Sequence, residues 1–142
     1  RKAMKFGATH IFNSEKDDLR GKIKKMFPNG VDVVVETTGL NFVKELAYEL
    51  TAPQGKTVFV GVTKEGEKVG IDSTPLHFGK RLVTSYGGSS NPSNDIPRLI
   101  QLQQIGRFNL DGMITQEYPL EKINDAFKYM VNSIGLRCLI KM

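Results

Sequence analysis

The sequence predicts an α/β fold built on a parallel sheet. Two short apolar runs, Val31–Glu36 and Lys56–Thr63, are rich in β-branched residues and bounded by turn-forming residues, as is typical of strands. The second run has the pattern of a strand buried on both faces of a parallel sheet. An amphipathic pattern from Leu40 to Leu50 supplies the crossover helix that parallel strands need. The links are short, so right-handed β-α-β units are expected.

Ahead of these strands, the sequence predicts the end of a helix, a strand and a second helix. Arg1–Phe6 is interpreted as the last turns of a helix that ends at Gly7, and Ala8–Phe12 as a short strand. Ser14 and Asp17 are spaced as in a capping box, so a helix is expected after them. The order up to the second apolar strand is therefore β-α-β-α-β.

After Thr63, the pattern predicts an edge-like piece at Val69–Ile71, a helical turn within Ser73–Lys80 and a strand at Arg81–Tyr86. The stretch Gly87–Ser93 is rich in glycine and serine and is the most loop-like part of the chain. A domain boundary is expected there, between residues 1–86 and residues 87–142.

Residues 87–142 are expected to contain two helices and two strands in alternation. These elements are a helix capped by Ser93 or Asn94 with Asp95 and Pro97 in its first turn, a strand over Met113–Tyr118, a helix over Leu120–Ile134 and a strand over Leu136–Met142.

The composition argues against several classes of protein. The chain has 142 residues, 39% of them hydrophobic, and a net charge of +5. No apolar run approaches the ~18 residues of a membrane span, so no membrane partner is expected. The basic residues are interleaved with Asp17 and Asp18, which favours a solvated helix face over a nucleic-acid partner and is also compatible with an anionic cofactor nearby. The single cysteine, Cys138, excludes an internal disulfide and indicates a reducing cytoplasm.

Neither a metal site nor a catalytic group is predicted within the chain. His10, His77 and Cys138 do not have the spacing of metal ligands. Gly55-Lys56-Thr57 imitates the end of a phosphate-binding loop, but it leads into a strand where that loop requires a helix. The glycine fingerprint of dinucleotide-binding sheets does not occur.

Candidate ligand-binding residues lie where the two apolar strands end. Open α/β sheets hold ligands beyond the carboxyl ends of their strands, which points to Glu36–Gly39 and to Val60-Gly61-Val62. Glycine weakens a strand unless something approaches its backbone closely, so a flat ligand is expected at Gly61. Spacing leaves open the alternative that both segments are ordinary strand-to-loop exits. For Arg137, spacing favours a surface charge over a phosphate contact.

Five segments together resemble the zinc-type alcohol dehydrogenases of the medium-chain dehydrogenase/reductase family. They are GATHIFNSEKDD, VDVVVETTG, APQGKTVFVGV, SYGGSSNPSNDIPRLIQL and YPLEKINDAFKYM, in family order and spacing. The resemblance covers essentially all 142 residues and implies the carboxyl-terminal part of such a protein. Residues 1–86 would form a partial NAD(P)-binding Rossmann domain, an incomplete doubly wound parallel sheet lacking its first strand–helix unit. Residues 87–142 would return to a catalytic domain that this sequence lacks.

The resemblance implies roles for matching residues. Thr38 would lie on the adenine side of the cofactor cleft, and Val60–Val62 would meet the nicotinamide. Tyr86 would offer its backbone amide to the carboxamide. Arg137 would pair with the cofactor pyrophosphate, which reverses its interpretation as a surface charge. Leu40 replaces an arginine found in other members, so no adenine contact is assigned to it.

The resemblance implies a protein that transfers hydride between an alcohol or aldehyde and NAD or NADP. In such a protein, zinc held by residues outside this sequence would polarise the alkoxide. Val69–Tyr86 matches the region through which two subunits join, which implies a homo-oligomer. The 142 residues alone are expected to be inactive. Two alternatives stay open: a zinc-free quinone or enoyl reductase of the same family, and a non-catalytic nucleotide-binding or dimerisation module. The choice between NAD and NADP and the identity of the substrate depend on segments that this sequence does not contain.

Overall fold

A computed structural model describes residues 2–107, 109–132 and 134–142, and the chain divides into two compact units. The first unit ends at Ser89 and the second begins at Ser90. Each unit contains its own parallel sheet, which confirms the α/β class. The roles expected for residues 1–86 and 87–142 stay predictions.

The first unit is built on a three-stranded parallel sheet in the order β1–β2–β3. Its strands are β1 (Val31–Glu36), β2 (Thr51–Phe59) and β3 (Arg81–Thr84). Its helices are α1 (Lys2–Lys5), α2 (Leu19–Met26) and α3 (Asn41–Leu50), and a 3-10 helix covers Thr74–Phe78. Helix α3 is the crossover between β1 and β2 and contacts both strands. This is the predicted incomplete Rossmann-like sheet.

Valines lie side by side across one face of this sheet. Val35 pairs with Val58, and Val58 pairs with Val83. Paired residues of parallel strands point to the same face, so the three side chains form a row. Val83 is exposed, and more than half of the surface of Val33 and of Val35 is exposed. Val58, the one of these valines that belongs to the predicted strand Lys56–Thr63, is half-buried, so the prediction that this strand is buried on both faces is wrong for this face within the described residues.

Strand β2 differs from the predicted strand Lys56–Thr63. Ala52–Gly55, the turn-forming residues that were expected to precede this strand, form an irregularity inside β2, because Val31 and Val33 pair with residues that are five positions apart on β2. This is the geometry of a bulge, in which the longer segment bends out of the ladder. The last four residues of the predicted strand follow β2 as a loop.

The predicted strand at Ala8–Phe12 does not form in the described residues; the segment is irregular. A strand needs a hydrogen-bonded neighbour, and none of the three strands of this unit pairs with it. The edge-like piece at Val69–Ile71 is irregular too. The N-cap of α2 is Asp18 instead of Ser14, since the Asp18 carboxylate accepts a hydrogen bond from the amide of Gly21 at 3.0 Å.

The second unit alternates helices and strands, as predicted. It contains α4 (Pro92–Gln104), β4 (Ile114–Pro119), α5 (Ile123–Val131) and β5 (Arg137–Lys141). Strands β4 and β5 pair in parallel, and α5 contacts both.

Helix α4 begins earlier than predicted. Its N-cap is Asn91, whose side-chain oxygen accepts from the amide of Ser93 at 3.2 Å. Pro97 consequently lies inside the helix and not in its first turn, where its missing amide removes one helical hydrogen bond. None of the helices described is both long and apolar enough for a transmembrane span.

Candidate functional site

The carboxyl ends of β1, β2 and β3 meet at one edge of the first unit's sheet, since the strands are parallel. The loops that leave them are residues 37–40, 60–63 and 85–86, and we call these residues the carboxyl edge. Backbone hydrogen bonds connect its loops to the strands: Val60 donates to the Glu36 carbonyl at 2.8 Å, and Ser85 donates to the Phe59 carbonyl at 2.9 Å. The edge includes the predicted site residues Thr38, Val60–Val62 and Tyr86, and Glu36 lies directly before it.

Gly61 touches the neighbouring loop of the same chain. A Cβ built on Gly61 would lie 2.7 Å from the Gly39 Cα, 2.8 Å from the Thr37 carbonyl carbon and closer still to the Gly39 amide nitrogen. Gly39 has a φ of 78° and packs against the backbone of Val62 in return. The close approach that the sequence predicted is therefore made by a backbone segment; contact with a flat ligand stays a prediction.

Glu36, the last residue of β1, is almost completely buried, with 2% of its surface exposed. Its Oε1 accepts from the amide and the hydroxyl of Thr38 and, at 3.0 Å, from the amide of Gly39. Its Oε2 has no hydrogen-bond partner among the described residues. Burial acts to raise the pKa of Glu36, but the hydrogen bonds from Thr38 and Gly39 and the charge of Lys44 outweigh it. The net pKa is below the ordinary value, so the carboxylate is ionised at neutral pH.

Lys44 places a second buried charge beneath the same edge. It belongs to α3, and 5% of its surface is exposed. Its Nζ donates to the hydroxyl of Thr63 and lies 5.2 Å from the centroid of the Phe59 ring. Sequence reasoning placed Glu36 in the candidate segment Glu36–Gly39 without giving its side chain a role, and it missed Lys44. The available signal was a carboxylate at the end of an apolar strand, directly before two threonines and a glycine.

The edge carries two exposed residues whose backbone donors have no partner in the described part of the fold. Val62 is 89% exposed and Tyr86 is 95% exposed. No residue in the described part of the chain accepts a hydrogen bond from the amide of Val62 or of Tyr86. These two amides can therefore donate to a ligand without breaking a bond of the fold.

Of the predicted site residues, the structure brings Thr38, Val60–Val62 and Tyr86 together at the carboxyl edge. Arg137 belongs to the second unit, where it is the first residue of β5 and pairs with Ile114. Its side chain is exposed, and its carbonyl accepts from the hydroxyl of Thr115 at 3.0 Å. Its pairing with a cofactor stays a prediction.

A cleft of about 540 Å³ lies at the opposite end of the sheet, where β1 and β2 begin. Its apolar walls are Phe27, Pro28, Leu50, Pro53 and Phe78. Lys80 also lines it and is only 8% exposed; its Nζ donates to the Thr51 carbonyl at 2.8 Å and lies 4.2 Å from the centroid of the Tyr48 ring. Burial lowers the pKa of Lys80, while the charges of Glu49 and Asp72 oppose this shift. Lys80, the residue before β3, therefore contacts both the end of α3 and the start of β2.

The described residues contain no group of three or more His, Cys, Asp or Glu side chains that could hold a metal ion. Cys138 is free and half-buried in β5. The expectation that zinc ligands lie outside this sequence stays a prediction.

Comparisons with known proteins agree on one family. A family model described as zinc-binding dehydrogenase matches residues 1–104. Alcohol dehydrogenase-like 7 of Arabidopsis thaliana is 34% identical, over 97% of this chain and 37% of that protein. The crystal structure of benzyl alcohol dehydrogenase from Acinetobacter calcoaceticus matches with a TM-score of 0.91 and 30% identity, over 99% of this chain and 39% of that one.

A structure from Sinorhizobium meliloti 1021, described as a zinc-binding dehydrogenase bound to NADP, matches with a TM-score of 0.82 and 25% identity. The match covers 99% of this chain and 41% of that one. The chain thus spans about two fifths of the length of the proteins that it resembles.

Proposed function

This chain belongs to the zinc-binding dehydrogenase family, and from that membership we propose that it forms part of an NAD(P)-dependent alcohol dehydrogenase. The bound dinucleotide would accept or donate the hydride that interconverts an alcohol and its aldehyde or ketone. The chain spans 37% of the Arabidopsis relative. We therefore propose that the groups that contact the substrate belong to other segments of a longer protein and that the 142 residues alone are inactive.

The observation that carries this proposal is a pair of backbone amides at the carboxyl edge, on two highly exposed residues, that the described part of the fold leaves unpaired. Val62 and Tyr86 lie on loops that leave neighbouring strands, and neither amide is used by the described part of the fold. A planar carboxamide needs donors of this kind on a rigid support. We assign the nicotinamide to Val60–Val62 and Tyr86, the adenine side to Thr38 and the pyrophosphate to Arg137.

The described residues do not fit a zinc site, so no catalytic step through zinc is derived for this chain. We propose that zinc ligands lie elsewhere in the longer protein, as the family description implies. A metal assay of that protein separates a zinc-dependent alcohol dehydrogenase from a zinc-free reductase of the same family. Because the chain has one cysteine, we propose a reducing cytoplasm as its compartment.

Replacing Val62 by tryptophan in the longer protein is expected to weaken the binding of NAD⁺ or NADP⁺ at least about tenfold, which corresponds to ~1.4 kcal/mol. The indole ring of tryptophan would occupy the space that we assign to the nicotinamide. Since Val62 is highly exposed, the midpoint of urea unfolding should not change. Isothermal titration with each dinucleotide measures the effect.

The matched control is Lys68→Trp, because Lys68 is exposed in the loop between β2 and the 3-10 helix. This variant should bind the dinucleotide as the unchanged protein does. Equal affinities for the Val62 and Lys68 variants would remove Val62 from the cofactor site.

We further propose that the protein forms a homo-oligomer through residues 69–86. Strand β3 is an edge strand of the described sheet and has no partner there on its outer side. The Ser85 amide bonds to β2, so the Thr84 amide points away from β2 because successive amides of a strand alternate. That outer side is available to a second copy of the chain.

Thr84→Pro is expected to dissociate the oligomer, since proline removes an outward-pointing amide without removing a bond to β2. Light scattering should give a smaller mass, with the circular dichroism spectrum retained. Val83→Pro is the comparison, because it removes an amide that points towards β2 and should unfold the strand. An unchanged mass for a folded Thr84→Pro variant would refute an interface through this edge.

A further inference from the structure

We propose that Glu36 and Lys44 set the relative affinity of the carboxyl edge for the oxidised and the reduced cofactor. The inference rests on the proposed function, since it requires that a nicotinamide dinucleotide binds at this edge. It goes further by giving a role to two buried charges that lie beneath the edge and are not among the residues assigned to cofactor contact.

Glu36 lies directly under the loops of the edge. Its Oε1 is 3.0 Å from the amide nitrogen of Gly39, and the backbone of Gly39 is in contact with Gly61. One peptide unit therefore separates the carboxylate from the residue assigned to the nicotinamide. The carboxylate is buried, and its second oxygen has no partner among the described residues, so water screens its charge weakly.

Lys44 approaches the same loop from its other end. Its ammonium group donates to the hydroxyl of Thr63, the residue after Val62. It is nearly as buried as Glu36 and lies over the ring of Phe59, at the end of β2. The loop of residues 60–63 thus has a buried anion beneath one part and a buried cation beneath another.

The two charges act on a difference between the two forms of the cofactor. The nicotinamide ring carries a formal positive charge when it is oxidised and none when it is reduced. A buried carboxylate stabilises the charged ring, whereas a buried ammonium destabilises it. Glu36 consequently favours binding of the oxidised form and Lys44 favours binding of the reduced form.

The test measures the dissociation constants of NAD⁺ and NADH, or of NADP⁺ and NADPH if the unchanged protein prefers these, by isothermal titration. The longer protein is compared with its Glu36→Gln and Lys44→Met variants, both of which keep nearly the original side-chain volume. The quantity compared is the dissociation constant of the oxidised cofactor divided by that of the reduced cofactor. Glu36→Gln should raise this ratio about fivefold. Lys44→Met should lower this ratio by a similar factor, and Lys68→Met, at an exposed lysine, should leave it unchanged.

The ratio separates an electrostatic role from a structural one. A residue that only supports the loop would weaken both forms by the same factor, and an unchanged ratio in folded variants overturns the inference. If Glu36→Gln does not fold, the ratio measured for Lys44→Met decides alone. Failure of the unchanged protein to bind either dinucleotide would overturn the proposed function itself, whereas binding of both with constant ratios overturns only the role of the two charges.

Discussion

Gly61→Ala is expected to destabilise the protein by about 3 kcal/mol. The new methyl group would lie 2.7 Å from the Gly39 Cα and 2.8 Å from the Thr37 carbonyl carbon. These are backbone atoms, which cannot rotate away as the end of a side chain can. The loops that follow β1 and β2 must therefore move apart. Overpacking of this kind costs typically about 1–3 kcal/mol and occasionally more. Urea unfolding followed by circular dichroism measures the loss.

Gly70→Ala is the matched control for this prediction. A Cβ at Gly70 would meet only the Glu45 Oε1, at 3.5 Å, which is an ordinary contact. Its stability should change by less than about 0.5 kcal/mol. If the two alanine variants were equally stable, the Gly39 loop would not rest against Gly61, and the described geometry of the carboxyl edge would be wrong.

Lys80→Ala is expected to destabilise the protein by about 2–3 kcal/mol. The change removes the donor to the Thr51 carbonyl and the cation above the Tyr48 ring, and it leaves a cavity where a nearly buried chain had packed. Hydrogen bonds from charged groups contribute about 1.5–3 kcal/mol, and a cation on an aromatic ring ~0.5–2 kcal/mol, while relief of the burial of the charge offsets part of the loss. The free energy of urea unfolding is the quantity to compare.

Lys80→Met separates packing from polar bonding, because methionine fills most of the volume but donates no hydrogen bond. We expect it to recover about half of the loss. Lys68→Met, at an exposed lysine, should stay within about 0.5 kcal/mol of the unchanged protein. Full recovery by methionine would show that the ammonium contributes nothing and that Lys80 acts only through its carbon chain.

The strongest sequence signals were local and were confirmed. Strand β1 was predicted with its observed bounds, because an apolar β-branched run lies between Gly30 and Thr37 and nothing else competes for it. Helix α3 was predicted from the helical spacing of its apolar residues. The order of these elements was sufficient to identify the α/β class and the edge at which a ligand is expected.

The errors arose where the structure depends on neighbours distant in sequence. Ala8–Phe12 has the composition of a strand, but the described sheet gives it no partner. Ala52–Gly55 have the composition of a turn ahead of the strand, but the structure keeps them within β2 as a bulge. Asn91 and not Ser93 caps α4, since several cap-forming residues follow one another and only packing selects among them.

The candidate site was predictable in position and only partly in composition. Gly61 was found from its unusual place at the end of a strand, although the structure shows that a peptide segment of the same chain explains it. Glu36 and Lys44 could not be identified as buried from their spacing, because charged residues in a helix or at a strand end are usually solvated. Their burial is decided by how α3 packs across β1 and β2.

The parallel pairing of the strands has a consequence for how fast this chain can fold. Val34 pairs with Thr57, and Thr57 pairs with Leu82, so the partners are 23 and 25 residues apart along the chain. Neither pairing can start as a local hairpin. The entropy of closing a crossover loop must be lost before any strand contact is gained, and folding rates fall as such non-local contacts accumulate. We therefore expect the β1-α3-β2 crossover, which closes the shorter of the two separations, to form first and to limit the rate at which the first unit folds.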